Sequence, residues 1–328
     1  MSRQYAKINL DAVESAVRAS LMEEVRTTPK PGLVDLHDNG AHKDMNAGTF
    51  ERSTAAVAPF LREMFSAGLD GAETRQPEET FLEIRRIGME AERAMFLATD
   101  HVNTHKGMIF TMGTVLAAAG RVIGAGTVCA GGSEPGAAEA FAEAVLRTAG
   151  EMTRDVLAAE FENMKNKVPE THGEKLFHAT GERGIRGQAA AGFPILRDTA
   201  FPALLKYRVH FSRGEAEELG YDLFTGEGCQ LDSRFINSGN INVLLSVMAV
   251  LDDTNVLTRS NAGTMHWLQG EAAAILRRGG AFTKAGLRSV TALNDSCIRR
   301  NISPGGAADI LAVALLLEKL TGGVFLQG

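Results

Sequence analysis

Cysteine is scarce in this sequence. Its 328 residues include three, Cys129, Cys229 and Cys297, which lie far apart and form no Cys-x-x-Cys pair. An odd number of widely spaced cysteines argues against a disulfide framework and against a thiolate zinc site. We therefore expect all three to be reduced residues of the core, in a reducing compartment.

The sequence also has few features of a membrane-targeting or membrane-spanning segment. Residues 1–7 contain no apolar signal segment and lead directly into an amphipathic pattern. The most apolar run, 108–120, is followed by Arg121 and is too short to span a bilayer. We expect this run to form a buried helix in a cytoplasmic protein that has no membrane partner.

An excess of positive charge is absent as well. The chain has 34 lysines and arginines against 40 aspartates and glutamates, which gives a formal net charge of -6. A weakly acidic protein lacks the long-range positive field that holds a polyphosphate backbone, so nucleic acid is excluded as a partner. A small anionic ligand needs only a local basic pocket and remains compatible with this composition.

Alternating strand patterns are hard to find, and aromatic residues make up only 6% of the chain. Alanine and leucine dominate stretches in which apolar residues recur at helical spacing. These stretches are 10–25, 50–65, 81–95, 108–122, 137–161, 241–251, 265–276, 287–298 and 310–320. The pattern predicts an all-α protein with a single multi-helix domain over residues 1–328. Segments 124–136, 180–194 and 213–238 are predicted to be irregular.

The first polar segment, residues 28–45, has two prolines and two glycines that stiffen and turn the backbone. Lys30, Asp35, His42, Lys43 and Asp44 cluster around them. A functional loop and a solvated connection between helices are equally compatible with this composition.

The second segment, residues 100–107, places His101 and His105 four residues apart, as two metal ligands on a helix would be. No glutamate lies between them, and Asn103 favours a turn, so a zinc site is not indicated. We expect a polar turn at the start of the buried helix, with Lys106 available for phosphate. An incidental capping turn is the alternative.

The third segment, residues 180–188, carries Arg183 and Arg186 among glycines. Two guanidinium groups and exposed backbone amides suit phosphate oxygens. The segment is not a Walker A loop, because no Gly-Lys-Ser/Thr follows. A flexible surface loop is the alternative.

The fourth segment, residues 252–259, places adjacent carboxylates at the end of an apolar helix, where charge is costly unless it meets a cation. Asp253 with Asn255 could hold Mg²⁺, whose preferred ligands are oxygens, waters and substrate phosphates. Arg259 follows. The alternative is a helix end that frays into solvent.

The fifth segment, residues 301–309, reads as a helix start. Ser303 is a good N-cap, and a proline follows where the first turn tolerates it. Gly305 and Gly306 leave amides accessible, so a phosphate could bind at the positive helix end. Asp309 lies further along the same helix. Taken together, the five segments indicate a phosphate site with several carboxylates and no Ser–His or Cys–His nucleophile.

These segments, in this order, resemble the triphosphoribosyl-dephospho-coenzyme A synthases, which serve citrate lyase and malonate decarboxylase. The matching blocks are 28–35, 39–45, 102–107, the Arg183/Arg186 loop, 253–259 and 303–309. They span most of the chain. Two positions depart from the family pattern, since Gln188 stands where glutamate is expected and Ser260 where glycine is expected. Gln188 leaves no carboxylate at its position.

The resemblance implies an all-α transferase. The 2′-hydroxyl of 3′-dephospho-coenzyme A attacks the ribose C1′ of ATP, adenine leaves, and the product passes to a holo-acyl carrier protein synthase. Asp35, His42, Asp44 and His105 are the implied catalytic residues, and Asp253, Asn255 and Asp309 are expected near Mg²⁺. The expected substrate-binding residues are Lys30, Asn103, Lys106, Arg183, Arg186, Arg259, Ser303, Gly305 and Gly306.

Two readings from other classes stay open at this point. A Mg²⁺-dependent helical nucleotide or ADP-ribose hydrolase would use the same aspartates, with water replacing the coenzyme A hydroxyl. A helical nucleotide-sensing module would keep the loops without turnover. Within the family, the sequence does not separate the citrate lyase pathway from the malonate decarboxylase pathway.

Overall fold

The computed structural model describes residues 8–127, 131, 132, 134, 136–209 and 233–323. Within these ranges the chain forms thirteen α-helices and no β-strand, so the all-α prediction is confirmed. Cys129 and Cys229 lie outside the described residues. Cys297 is a buried free thiol, as predicted, and burial raises its pKa to about 12.

The helices have the following bounds. They are α1 (Leu10–Arg26), α2 (Ala47–Asp70), α3 (Pro77–Ala98), α4 (Lys106–Gly124), α5 (Ala137–Met164), α6 (His172–Thr180), α7 (Gly184–Ala190), α8 (Phe201–Val209), α9 (Ser233–Met248), α10 (Thr254–Arg259), α11 (Ala262–Arg277), α12 (Lys284–Arg300) and α13 (Gly305–Thr321). A π-helical turn, Leu196–Ala200, precedes α8, and a 3-10 turn, Gly280–Phe282, precedes α12.

Contacts divide the chain into two compact units. The first contains Met1–Met22, Thr49–Arg197 and Leu315–Gly328, and the second contains Glu23–Gly48 and Asp198–Ala314. The sequence prediction of a single domain stays a prediction.

In the first unit, α4 is the central helix, and it runs past Arg121, where the sequence analysis ended its apolar run. Arg121 is itself buried and donates hydrogen bonds to the carbonyls of Gly71 and Arg75 and to Thr80 Oγ1. Among the described residues, α4 is the one helix long and apolar enough to cross a membrane, and 72% of its apolar window is buried in the fold. A core helix passes the same test, so this is weak evidence for a membrane.

Close approach of α2 and α4 depends on glycine. A Cβ atom on Gly68 would lie 2.0 Å from the carbonyl oxygen of Ala117, and one on Gly120 would lie 2.2 Å from that of Phe65. No side chain fits at such distances, so the two backbones pack directly against each other.

In the second unit, α9 holds the segment that leads into the first polar loop. Asn237 Oδ1 accepts a hydrogen bond from the Thr28 amide (2.8 Å), and Asn237 Nδ2 donates to the Thr28 carbonyl (2.6 Å). Asn240 Nδ2 donates to Thr27 Oγ1 at 3.2 Å. The start of the loop at residue 28 is therefore fixed by two asparagines on one face of α9.

Three boundary predictions need correction. The segment 180–194, predicted to be irregular, contains the helix α7, because Gly184 to Ala190 form a short helical run after the left-handed Gly181. Segment 213–238 lies mostly outside the described residues, but from Ser233 it belongs to α9. The helix predicted over 241–251 ends at Met248.

Candidate active site

The carboxylate of Asp253 lies between the starts of two helices in the second unit. Its Oδ1 accepts a hydrogen bond from the Asn255 amide (2.8 Å), which makes Asp253 the N-cap of α10. Its Oδ2 accepts a hydrogen bond from the Ala307 amide (3.0 Å) in the first turn of α13. The side chain is buried, so this one carboxylate joins the positive ends of both helices.

Positions 305 and 306 are glycines because the junction between the two helix starts leaves little room for a side chain. A Cβ atom on Gly306 would lie 3.0 Å from Asp253 Oδ2, and one on Gly305 would lie 3.0 Å from Asn255 Nδ2. The structure thus gives the two glycines a packing role, and the Ala307 amide at the helix start is already used by Asp253. Phosphate binding at Gly305 and Gly306 stays a prediction.

A buried ion pair joins Lys30 to Glu24. The Lys30 side chain is only 1% exposed, and its Nζ contacts Glu24 Oε1. Lys30 was predicted to face phosphate, whereas the structure pairs it with a carboxylate of α1. A buried pair of this kind is costly to break, because removing one partner leaves an uncompensated charge.

Three carboxyl groups of this unit have raised pKa values. Burial is the main cause for Glu24, Asp253 and Asp309. The negative charges of Glu24 and Asp253 add to the effect on the pKa of Asp309, which lies well above its usual range. Backbone hydrogen bonds oppose the effect at Asp253, and Lys30 opposes it at Glu24. The carboxyl group of Asp309 forms no hydrogen bond or ion pair within the described part of the chain, so it is the least compensated of the three.

Asp35 was predicted to be catalytic, and its carboxylate is occupied by the backbone. Oδ2 accepts a hydrogen bond from the Lys30 amide (2.9 Å), while Oδ1 accepts from the amides of His37 (2.6 Å) and Asp38 (3.0 Å). The side chain is 3% exposed. These contacts favour a role in shaping the loop over proton transfer.

His42 lies between Ser303 and Asp44. Its Nε2 is 2.9 Å from Ser303 Oγ, and its Nδ1 is 3.7 Å from the nearest oxygen of the exposed Asp44. The pKa of His42 is lowered, first by burial and then by the positive charge of Arg259, while Asp44 acts in the opposite direction. The imidazole is therefore held neutral near neutral pH and can accept a proton.

The sequence analysis expected no Ser–His nucleophile, and the structure places the Ser303 hydroxyl against His42. Ser303 is only 3% exposed, and Asp44 lies beyond hydrogen-bond distance of the ring. The hydroxyl is therefore better placed to orient His42 than to attack a substrate. The pair joins positions 261 residues apart in the chain, which spacing alone does not reveal.

The segment around His105 lies in the first unit and forms the predicted turn at the start of α4. His105 is the N-cap residue and is buried, with its Nδ1 2.6 Å from Ser53 Oγ and its ring edge-on to Phe50. Asn103 Oδ1 accepts a hydrogen bond from the Lys106 amide (3.2 Å). Lys106 Nζ lies 3.0 Å from Glu92, so its amine meets a carboxylate.

Arg183 and Arg186 have protein neighbours that the sequence did not reveal. The guanidinium of Arg183 stacks over the Phe161 ring at 4.9 Å, and Arg186 lies 3.8 Å from Glu160. Arg183 therefore packs on an aromatic ring of α5. Arg186 is half exposed and keeps most of its donors available.

The two positions that depart from the family pattern have simple local explanations. Gln188 Oε1 accepts a hydrogen bond from the Ile195 amide (3.2 Å), a contact that a carboxylate oxygen could also make. Ser260 ends α10 with φ -147°, a value that does not require glycine, and its hydroxyl donates to the Val256 carbonyl (2.7 Å).

Sequence reasoning missed Glu24 and Asn294. Asn294 Oδ1 accepts a hydrogen bond from the Gly32 amide (2.8 Å), and its Nδ2 donates to Asp38 (2.9 Å). Both residues could have been found from periodicity. Glu24 follows Leu21 by three positions on the apolar face of α1, and Asn294 follows Val290 by four on that of α12.

The described residues contain no group of three or more His, Cys, Asp or Glu side chains arranged to hold a metal ion by themselves. The donors nevertheless fit a hard cation that is also bound to substrate phosphates, since Asp309 has an uncompensated carboxyl beside Asp253 and Glu24. Asn255 is exposed and its side-chain amide lies at the start of α10.

Buried carboxyl groups, a histidine with a lowered pKa and a nearby arginine are features that occur at enzyme active sites. The sequence matches the family described as ATP:dephospho-CoA triphosphoribosyl transferase over residues 10–225 and 229–324. The chain therefore belongs to the ATP:dephospho-CoA triphosphoribosyl transferase family and is an enzyme.

Curated relatives agree. A Klebsiella pneumoniae protein named 2-(5''-triphosphoribosyl)-3'-dephosphocoenzyme-A synthase is 36% identical over 98% of this chain and 95% of its own length. A Salmonella gallinarum protein with the same name, marked probable, is 34% identical over 97% and 94%. An Escherichia fergusonii synthase is 32% identical over 95% and 91%. No solved structure matches.

The junction at Asp253 leads to a stability prediction. Asp253→Asn keeps the size of the side chain but replaces one of its two accepting oxygens with an NH₂ group, which then faces a backbone N–H donor. We expect the free energy of unfolding in urea to fall by about 1–3 kcal/mol. Asp252→Asn is the matched control, since Asp252 is exposed and adjacent. Equal stability of the two variants would mean that the carboxylate does not hold the two helix starts.

Proposed function

We propose that this enzyme forms a bond between the 2′-oxygen of 3′-dephospho-CoA and C1′ of the ribose of ATP. The bond from C1′ to N9 breaks, its electron pair leaves with adenine, and the triphosphate stays on the product. The family membership supports this reaction, and the neutral His42 beside Asp44 and Arg259 supports its proton transfer. The hydrolase and sensor readings are not favoured.

His42 is the proposed general base. A neutral imidazole can take the proton of the attacking hydroxyl, and displacement at an anomeric carbon gains from such a base. Ser303 and Asp44 are proposed as positioning residues on either side of the ring. Arg259 lowers the pKa of His42 and supplies positive charge for phosphate oxygens. Asp35 shapes the loop that carries His42.

Mg²⁺ is proposed at Asp309, with Asp253 and Asn255 nearby. When bound, it would offset the negative charge of the triphosphate and of the three carboxyl groups. The remaining roles of His105, Asn103, Lys106, Lys30 and Arg183 toward the substrates stay predictions. We also propose a cytoplasmic enzyme whose product becomes the prosthetic-group precursor of citrate lyase or malonate decarboxylase.

The reaction is tested by adenine release. ATP mixed with 3′-dephospho-CoA and Mg²⁺ should give free adenine, measured by chromatography, with one adenine for each dephospho-CoA consumed and no inorganic phosphate. Omission of dephospho-CoA should stop the release, because its hydroxyl is the acceptor. Adenine released equally without it, or ADP and phosphate as products, would contradict the transferase.

The base assignment predicts opposite shifts of the acid limb of the kcat/KM profile against pH. Arg259→Gln removes a cation that lowers the pKa of His42, so the limb should move to higher pH. Asp44→Asn removes a charge that raises this pKa, so the limb should move to lower pH. Each shift should be about 0.2–0.7 pH unit for partly exposed charges.

His42→Gln should lower kcat by about 10²–10⁴-fold and remove the acid limb. Two results argue against His42. Equal directions of shift in the Arg259 and Asp44 variants would mean that another group titrates. Loss of the limb in Asp44→Asn, with the limb kept in His42→Gln, would make Asp44 the base.

The cation assignment predicts a pH-dependent effect of Mg²⁺ on stability. Folding raises the pKa of Glu24, Asp253 and Asp309, so the cation-free protein should lose stability as pH rises above the usual carboxyl range. Mg²⁺ at about ten times its Kd should raise Tm by about 2 °C, and by more at higher pH.

Asp309→Asn should raise the Tm of the cation-free protein and abolish its response to Mg²⁺, as measured by thermal unfolding without nucleotide. Asp295→Asn, on an exposed position of α12, is the control. A wild-type Tm that ignores Mg²⁺ at every pH, with ATP present as well as absent, would reject the Mg²⁺ site at Asp309.

A further inference from the structure

The first unit contains a groove that the proposed catalytic and metal-binding roles do not use, although Arg186, an expected substrate-binding residue, lines it. It has a volume of about 400 Å³ and lies against α3, α4 and α5. This volume is in the range of small-molecule sites. Its apolar lining includes Phe81, Ile84, Ile109, Phe110 and Leu157.

Two large apolar side chains at this groove are exposed. Leu82 is 48% and Met89 51% exposed, and both line the groove on α3. Gly88 of α3 also lines the groove. A Cβ atom on Gly88 would lie 3.5 Å from Met64 Cε and 3.7 Å from Ile109 Cγ2, so a small side chain would fit and a large one would fill the space.

Three arginines, Arg85, Arg86 and Arg186, also line the groove, together with Glu92 and Glu160. Arg85 contacts Glu160, and Arg186 lies 3.8 Å from the same carboxylate. Arg86 forms no ion pair or hydrogen bond with the described residues, and it is exposed. The groove thus offers an apolar floor and a guanidinium group that is ready to meet an anion.

We propose that this groove binds 3′-dephospho-CoA, with the pantetheine arm along the apolar floor and the diphosphate at Arg86 and Arg186. The inference rests on the proposed function. Of the two substrates, this one joins a long, largely uncharged arm to a diphosphate, which matches an apolar slot with few free cations. The triphosphate of ATP carries more charge than the groove's arginines, which are already partly paired with Glu160, can offset.

The test measures binding of 3′-dephospho-CoA and, separately, of ATP to the full chain by isothermal titration calorimetry. Gly88→Leu should fill the floor and weaken dephospho-CoA binding by at least about tenfold, while ATP binding is unchanged. Gly88→Ala is the matched control and should bind both ligands as the wild type does. Circular dichroism and Tm show whether each variant is folded.

Arg86 provides a second variant in case Gly88→Leu does not fold. Arg86→Gln should weaken dephospho-CoA binding by about tenfold, the effect of losing one charge-assisted contact. Arg93→Gln is its control, because Arg93 is on the same helix, is 67% exposed and pairs with Glu90 away from the groove. Pantetheine alone should still bind Arg86→Gln as it binds the wild type.

Unchanged dephospho-CoA binding in folded Gly88→Leu and Arg86→Gln would overturn the proposal. Loss of ATP binding in place of dephospho-CoA binding would assign the groove to the nucleotide and overturn it equally. Adenine release by the wild type is measured alongside. If the wild type releases adenine and the groove variants bind dephospho-CoA normally, only the groove assignment is rejected. If the variants bind dephospho-CoA more weakly but the wild type releases no adenine, only the proposed reaction is rejected.

Discussion

The hydrogen bonds of the Asp253 carboxylate are the interaction on which the second unit depends. Its two oxygens bind amides at the starts of α10 and α13, and this fixes the position of Arg259 at the other end of α10. The same contact fixes the first turn of α13, next to Ser303 and therefore to His42. A charge that is expensive to bury is thus retained because it is compensated by backbone donors.

The electrostatics of this unit follow from that arrangement. The carboxyl groups of Glu24, Asp253 and Asp309 influence one another, and Lys30 pairs with Glu24, so protons or cations are favoured there. At His42 the protonated form is disfavoured instead, because burial and the positive charge of Arg259 destabilise the imidazolium. The unit therefore contains an imidazole that is favoured in its neutral form and carboxyl groups at which protons or cations are favoured.

Sequence reasoning predicted the helical class and most of the polar segments, since both depend on local periodicity and composition. It could not predict which segments meet. The pairing of His42 with Ser303 and of Asp253 with Ala307 depends on tertiary packing between distant positions. Sequence reasoning also predicted that Lys30 and Arg183 bind phosphate. A sequence shows that both side chains are charged, but it does not show that Lys30 contacts the Glu24 carboxylate or that Arg183 stacks on the Phe161 ring.

The buried pair of Lys30 and Glu24 constrains how this sequence can diverge. A change at either position alone would leave an isolated charge in the interior, which is strongly destabilising, while joint replacement by apolar residues of similar volume can be neutral. Substitutions at the two positions should therefore occur together across relatives, six residues apart in the chain. A homologue that keeps one and not the other must have supplied a new counter-charge from elsewhere in its interior.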